Sequence, residues 1–170
     1  FGDTGTGNTI WQDFTKKSLN KRLKNNGYLL YVHPPGWRKP NTKRGKFYGL
    51  YKLMTNDNQM LYLSIHGIKE GKETFNCGTR YDWYLIQHIP KYTTTIVNDE
   101  NKNKIIVDMS KFKWLPNYNI DTIKNILAKE NEDKCPIMYD RTSYGADKKD
   151  RISKIKTSEF KYPCVHSTPK

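Results

Sequence analysis

The residues in this chain able to do chemistry fall into four groups. His33, His66, His88, Cys77 and Cys164 carry metal-ligating atoms, but their long, irregular spacings match no compact ligand pattern. Gly2-Asp3-Thr4-Gly5-Thr6-Gly7 has a backbone that could cradle a phosphate. No strand precedes it within the chain and no Gly-Lys-Ser/Thr ending follows, so it reads as a flexible loop. Basic residues cluster at Arg38-Lys39, Lys43-Arg44 and Lys46, and again at Arg141, Lys148-Lys149, Arg151, Lys154 and Lys156. Phe75, in Thr74-Phe75-Asn76-Cys77-Gly78, stands just ahead of an apolar run, where a ring can join a core or stack on a base.

Charge chooses among partners. The 170 residues hold 30 Lys and Arg against 17 Asp and Glu, a formal net charge of +13. A field of that sign favours a polyanion, nucleic acid first and an anionic membrane surface second; the plain alternative is a solvated Lys-rich surface. The 3 cysteines are odd in number, widely spaced and without a Cys-x-x-Cys pair. That argues against a disulfide framework and a structural zinc site, and for a reducing compartment. No apolar run reaches membrane-spanning length, and Phe1-Gly2-Asp3-Thr4-Gly5 has neither the basic start nor the apolar core of a signal peptide. The expectation is a cytoplasmic protein, or a viral product in the host cell, with no metal and no membrane partner.

The elements that would hold these residues follow from local pattern. Asn8 or Thr9 can cap a helix of about four turns with Ile10, Phe14, Leu19 and Leu23 near one face, and Gly27 supplies its left-handed stop. Tyr28-Leu29-Leu30-Tyr31-Val32 is nearly all apolar and reads as a strand buried on both faces, interior to a mostly parallel sheet when intact and expected to have an unpaired side here, because its usual neighbour would lie upstream. It ends in His33-Pro34-Pro35-Gly36-Trp37, at the carboxyl end where open α/β sheets place ligand loops. Helix, stop, strand and loop are half of a βαβ unit whose first strand is expected upstream of residue 1. A short helix is predicted over 47–54, a strand over 60–66, turn material over 67–74, and over 82–88 a strand that should end the sheet. Thr93 to Val97 and Lys104 to Val107 flank Asn98-Asp99-Glu100-Asn101-Lys102-Asn103 as a hairpin. Ile120, Ile123, Ile126 and Leu127 make one short amphipathic helix. Trp114-Leu115-Pro116-Asn117 breaks the pattern and sets the expected boundary, with one domain over 1–117 and a second region over 118–170.

In this order the chain resembles the amino-methyltransferases of DNA, the adenine-specific class of restriction–modification systems and large DNA viruses. The likeness is carried by Gly7-Asn8-Thr9-Ile10-Trp11-Gln12-Asp13-Phe14 and by Asn26-Gly27-Tyr28-Leu29-Leu30-Tyr31-Val32-His33-Pro34-Pro35-Gly36-Trp37. It continues through Thr74-Phe75-Asn76-Cys77-Gly78-Thr79-Arg80-Tyr81-Asp82-Trp83-Tyr84-Leu85-Ile86 and Phe112-Lys113-Trp114-Leu115-Pro116-Asn117. It ends at Glu159-Phe160-Lys161-Tyr162-Pro163-Cys164-Val165-His166-Ser167. Each block alone is weak; their order and spacing over nearly the whole chain make the match.

The resemblance implies an α/β fold: the C-terminal part of a Rossmann-like, S-adenosylmethionine-dependent methyltransferase sheet, then a linker helix and the start of a target-recognition region. It implies transfer of a methyl group from S-adenosylmethionine to adenine N6 in double-stranded DNA. Such enzymes bind the cofactor through a Gly-containing first strand and turn, and carry an Asn/Asp-Pro-Pro-Tyr/Phe/Trp tetrad on the fourth strand. Both are expected upstream of residue 1, with Phe1 as the last residue of the tetrad or a few residues past it. The chain alone is therefore expected to be inactive. His33-Pro34-Pro35-Gly36 is no substitute, because it lacks the acceptor amide or carboxylate and has Gly where the ring should stand. Phe75 is implied to pack on the other face of the flipped adenine. Arg38, Lys39, Lys43 and Arg44 are placed at the rim where DNA passes, and Arg141, Lys148 and Lys149 in the target-recognition region. Two other readings stand beside this one: a non-catalytic basic nucleic-acid-binding protein, and an RNA methyltransferase.

Overall fold

The computed structural model describes residues 9–39, 41, 43–129, 131–133 and 153–162. Five strands form one mixed sheet: β1 (Tyr28–His33), β2 (Gln59–His66), β3 (Tyr81–Gln87), β4 (Thr95–Asn98) and β5 (Lys104–Val107), in the spatial order β1-β3-β2-β4-β5. β3 runs antiparallel to both β1 and β2, β4 is parallel to β2, and β5 returns antiparallel to β4. Thus β1, β2 and β4 point one way and β3 and β5 the other, a mixed α/β sheet compatible with a Rossmann-like fold. The β4–β5 hairpin forms where its turn chemistry placed it, with Asp99 accepting from the backbone N–H groups of Asn101 and Asn103.

Side-chain parity divides the sheet into two unlike faces. On one, Tyr84, Leu63 and Val97 lie side by side and fully buried, flanked by Tyr31 and Ile105. Helix α1 (Trp11–Lys17), its continuation as a π-helical turn (Ser18–Arg22) and α2 (Leu50–Thr55) contribute Leu19, Leu50 and Met54 to the same core. On the other face Leu30, Leu85, Tyr62, Ile96 and Ile106 make one row across all five strands, with Leu30 and Ile106 mostly exposed.

The sheet is not mostly parallel, since three of its four pairings are antiparallel, and the left-handed residue after the first helix is Asn26 (φ 65°) rather than Gly27. Four further expectations change. β1 is not buried on both faces: Leu29 and His33 are buried while Tyr28, Leu30 and Val32 are exposed. Its pairing is as expected: among the described residues it pairs only with β3, which leaves its other side unpaired. β3 does not end the sheet but lies inside it, between β1 and β2. Residues 67–74 are helix rather than turn: α3 spans Ile68–Phe75, and Glu70 reaches back to accept from the Gly67 N–H, which satisfies an otherwise orphaned donor. Gly71 permits this packing, since a Cβ there would lie 1.9 Å from the Thr79 carbonyl oxygen. On α1, Ile10 and Phe14 are exposed and Gln12, Thr15 and Leu19 are buried. Trp11 stacks on His33 with centroids 4.0 Å apart and on Phe47 at 4.9 Å, and that stack decides which side of the helix faces the sheet.

The chain divides into two compact units, Phe1–Leu127 and Ala128–Lys170, ten residues beyond the expected boundary. The reason is α4 (Ile120–Ile126), whose Ile120 is buried in the first unit's core. Among the described residues no helix is long and apolar enough to cross a membrane.

Candidate nucleic-acid interface at the carboxyl edge of the sheet

Because β3 is reversed, its first residues lie at the edge where β1, β2 and β4 end. That edge gathers the Pro34–Lys46 loop, α3 with the turn that follows it, and the Asp99–Asn103 turn.

The innermost layer is a buried polar network. His33 and Asp82 are cross-strand partners on the inward face. Asp82 is fully buried and accepts from Trp37 Nε1 at 2.9 Å, Arg38 Nε at 2.7 Å and Arg38 Nη2 at 3.2 Å. Arg38 Nη1 donates to the carbonyls of Leu115 and Pro116, both at 3.0 Å, and Nη2 to Asn117 Oδ1 at 2.9 Å. Burial pushes the Asp82 carboxyl up, while the guanidinium and the indole N–H pull against it. His33 Nδ1 lies 2.9 Å from the Pro34 carbonyl, which can only accept, so Nδ1 carries the proton and Nε2 accepts from Tyr84 O–H at 2.8 Å. Burial lowers that imidazole to about 4, so it is neutral at physiological pH.

This layer corrects one assignment. Arg38 is 2% exposed, and all five of its N–H donors are committed within the fold. It cannot reach a phosphate; it ties the loop after β1 to the segment 115–117 across the start of β3. The rigid turn is built for the same purpose. Pro34 and Pro35 lead into a 3-10 turn over Pro35–Arg38, and Gly36 lies under the Phe47 ring, where a Cβ would come within 2.8 Å.

The outer layer faces water. Lys39, Lys43 and Arg44 are exposed on the loop that Arg38 anchors. Phe75 is the last residue of α3, half exposed, with its ring edge-on to Tyr81 at 4.9 Å and 84°. Tyr81 in turn stacks flat on His66, 4.4 Å away and 4° from parallel. Phe75 is thus not a core residue at a strand start; it is a ring presented at the edge with a firm aromatic backing. The basic loop and Phe75 therefore belong to connections that meet the strands at this edge, but on opposite faces: the loop is tied to Asp82 on the α2 side, and Phe75 rests on Tyr81 on the open side. Phe1, Arg141, Lys148 and Lys149 lie outside the described residues.

The metal-ligating atoms are dispersed. His33 faces Tyr84, His66 Nε2 faces Ser64 Oγ at 2.9 Å, and His88 Nδ1 faces Asn58 Oδ1 at 2.7 Å, while Cys77 is exposed; Cys164 lies outside the described residues. Among the described residues no group of three or more His, Cys, Asp or Glu could hold a metal ion.

The Asp82–Arg38 network escaped the sequence reading, although one signal was present. Asp82 shares its strand face with Tyr84 and Ile86, and a carboxylate on a core-facing position requires a buried partner. No family model, curated protein or solved structure matches this chain.

Proposed function

We propose that this chain is part of an S-adenosylmethionine-dependent methyltransferase that acts on adenine N6 in double-stranded DNA. The reading rests on the resemblance of the sequence blocks, and one structural observation supports it most. A basic loop and a half-exposed aromatic, Phe75, are both carried by connections at the carboxyl edge of a mixed α/β sheet, one on each side of it. Ligands of open α/β sheets bind at that edge. An adenine inside a duplex must be flipped out before its amine can be reached, and a ring such as Phe75 can replace the stacking lost on extrusion. Lys39, Lys43 and Arg44 would hold phosphates and position the duplex without reading its sequence. Among the described residues none forms the glycine turn that such an enzyme uses for S-adenosylmethionine. No step of the transfer is therefore derived from them, and their part is binding and orientation.

The test is label transfer from methyl-tritiated S-adenosylmethionine by the complete protein that carries this chain. Label recovered as N6-methyladenine in mixed-sequence duplex DNA supports the reading. Label recovered only in RNA would make it an RNA methyltransferase. Salt-sensitive DNA binding with no transfer to either would leave a basic nucleic-acid-binding protein.

A further inference from the structure

Beside this edge, on the α2 side of the sheet, lies a shallow cavity of about 360 Å³, near the small end of ligand-pocket sizes. Its aromatic lining includes Phe112, which is buried, Phe47, which stacks on Trp11, and Tyr51, whose hydroxyl is already committed to the Met109 carbonyl at 3.2 Å. Tyr48, 48% exposed, stands on the rim with Lys39 and Lys113. The two lysines come from loops far apart in sequence, held together because Leu115 N–H donates to the Arg38 carbonyl at 3.0 Å. A third rim lysine, Lys52, is paired with Asp57, whereas no carboxylate lines the cavity itself.

We propose that this cavity binds single-stranded nucleic acid, one base stacking on Tyr48 while Lys39 and Lys113 hold the flanking phosphates. An aromatic platform beside a basic rim is the chemistry that grips unpaired bases without reading them. A duplex keeps its bases stacked internally and cannot offer a face to Tyr48. The inference rests on nucleic acid as the partner, and not on methyl transfer.

Fluorescence anisotropy on a labelled oligo-deoxythymidine strand and on a blunt duplex of equal length tests it. Tyr48→Ala should weaken single-strand binding about 10-fold, with the duplex changed by less than about 2-fold. Tyr48→Phe should restore it. Lys39→Gln with Lys113→Gln should flatten the single-strand salt slope by about 0.7 per lysine removed. Tyr92→Ala, an exposed ring beside Gln59 at the start of β2, should change nothing. The inference is overturned if folded Tyr48→Ala binds single strands as the parent does, or if single-strand and duplex binding fall together. In either case the duplex reading above survives. Failure of the unmodified protein to bind either probe would remove both.

Discussion

Arg38 and Asp82, separated by 44 positions, meet inside the fold with Nε 2.7 Å from Oδ2 and Nη2 3.2 Å from Oδ1, each side chain 2% exposed or less. The pair fixes the Pro-Pro-Gly-Trp loop against the start of β3. Everything exposed on that loop depends on it.

Removing one partner leaves the other charge buried and uncompensated. Asp82→Ala is expected to destabilise the protein by about 3–5 kcal/mol. Arg38→Met together with Asp82→Leu should cost far less than the sum of the single changes. Urea unfolding of the four proteins measures the coupling, and strictly additive costs would contradict it.

His33 gives a stability that depends on pH. Its imidazole is held at about 4 in the fold, against 6.5 for an unperturbed histidine. The unfolded chain therefore takes the proton more readily. The contribution is fully present above about 6.5 and is lost as pH falls toward 4, an effect of about 3 kcal/mol. Unfolding midpoints at pH 7, 5.5 and 4.5 should fall in that order. His33→Gln should flatten this dependence, even if it lowers all three.

Two glycines should respond differently to alanine. At Gly71 the added methyl meets the Thr79 backbone oxygen, so α3 or the following turn must move, and a loss of about 3 kcal/mol is expected. At Gly49, with φ +75° and open space around it, only the left-handed backbone is strained, at about 1–2 kcal/mol. Melting curves that rank the two variants the other way would contradict the packing described for α3.

Phe75→Ala should change stability by less than about 1.5 kcal/mol, because half of the ring is already in water. If the proposed methyltransferase reading holds, in the complete protein it should slow single-turnover methylation and reduce 2-aminopurine fluorescence from a flipped base, with cofactor affinity unchanged. Phe75→Trp should retain most activity. Normal turnover and normal flipping in Phe75→Ala would remove this residue from the site.

The open face of the sheet should limit solubility. Leu30 and Ile106 occupy the two ends of an apolar row and are 62% and 70% exposed. Replacing both with lysine should reduce light scattering at high concentration while leaving the melting temperature nearly unchanged. A marked drop in melting temperature would mean that the face is covered.

What the sequence determined by itself was local. Alternation and turn chemistry placed β2, β3, the β4–β5 hairpin and α4 to within a few residues, because those signals lie within a few positions of each other along the chain. The basic clusters and the net charge were equally legible, since charge needs no fold to exist. The tertiary structure decided which face of each element is buried and which cation reaches solvent. Arg38 and Lys39 are adjacent and both basic, yet one is sealed against Asp82 and the other is exposed. Their difference is set by the β1–β3 register, which brings Asp82 opposite His33. The apolar run of β1 likewise promised burial on both sides. Whether a strand is covered depends on what packs over it, and Trp11 drew α1 onto the His33 side alone. A buried charge is tolerated only where a distant partner compensates it, and an apolar side chain is buried only where another element arrives. Both conditions are met between residues far apart in sequence, beyond the reach of any local pattern.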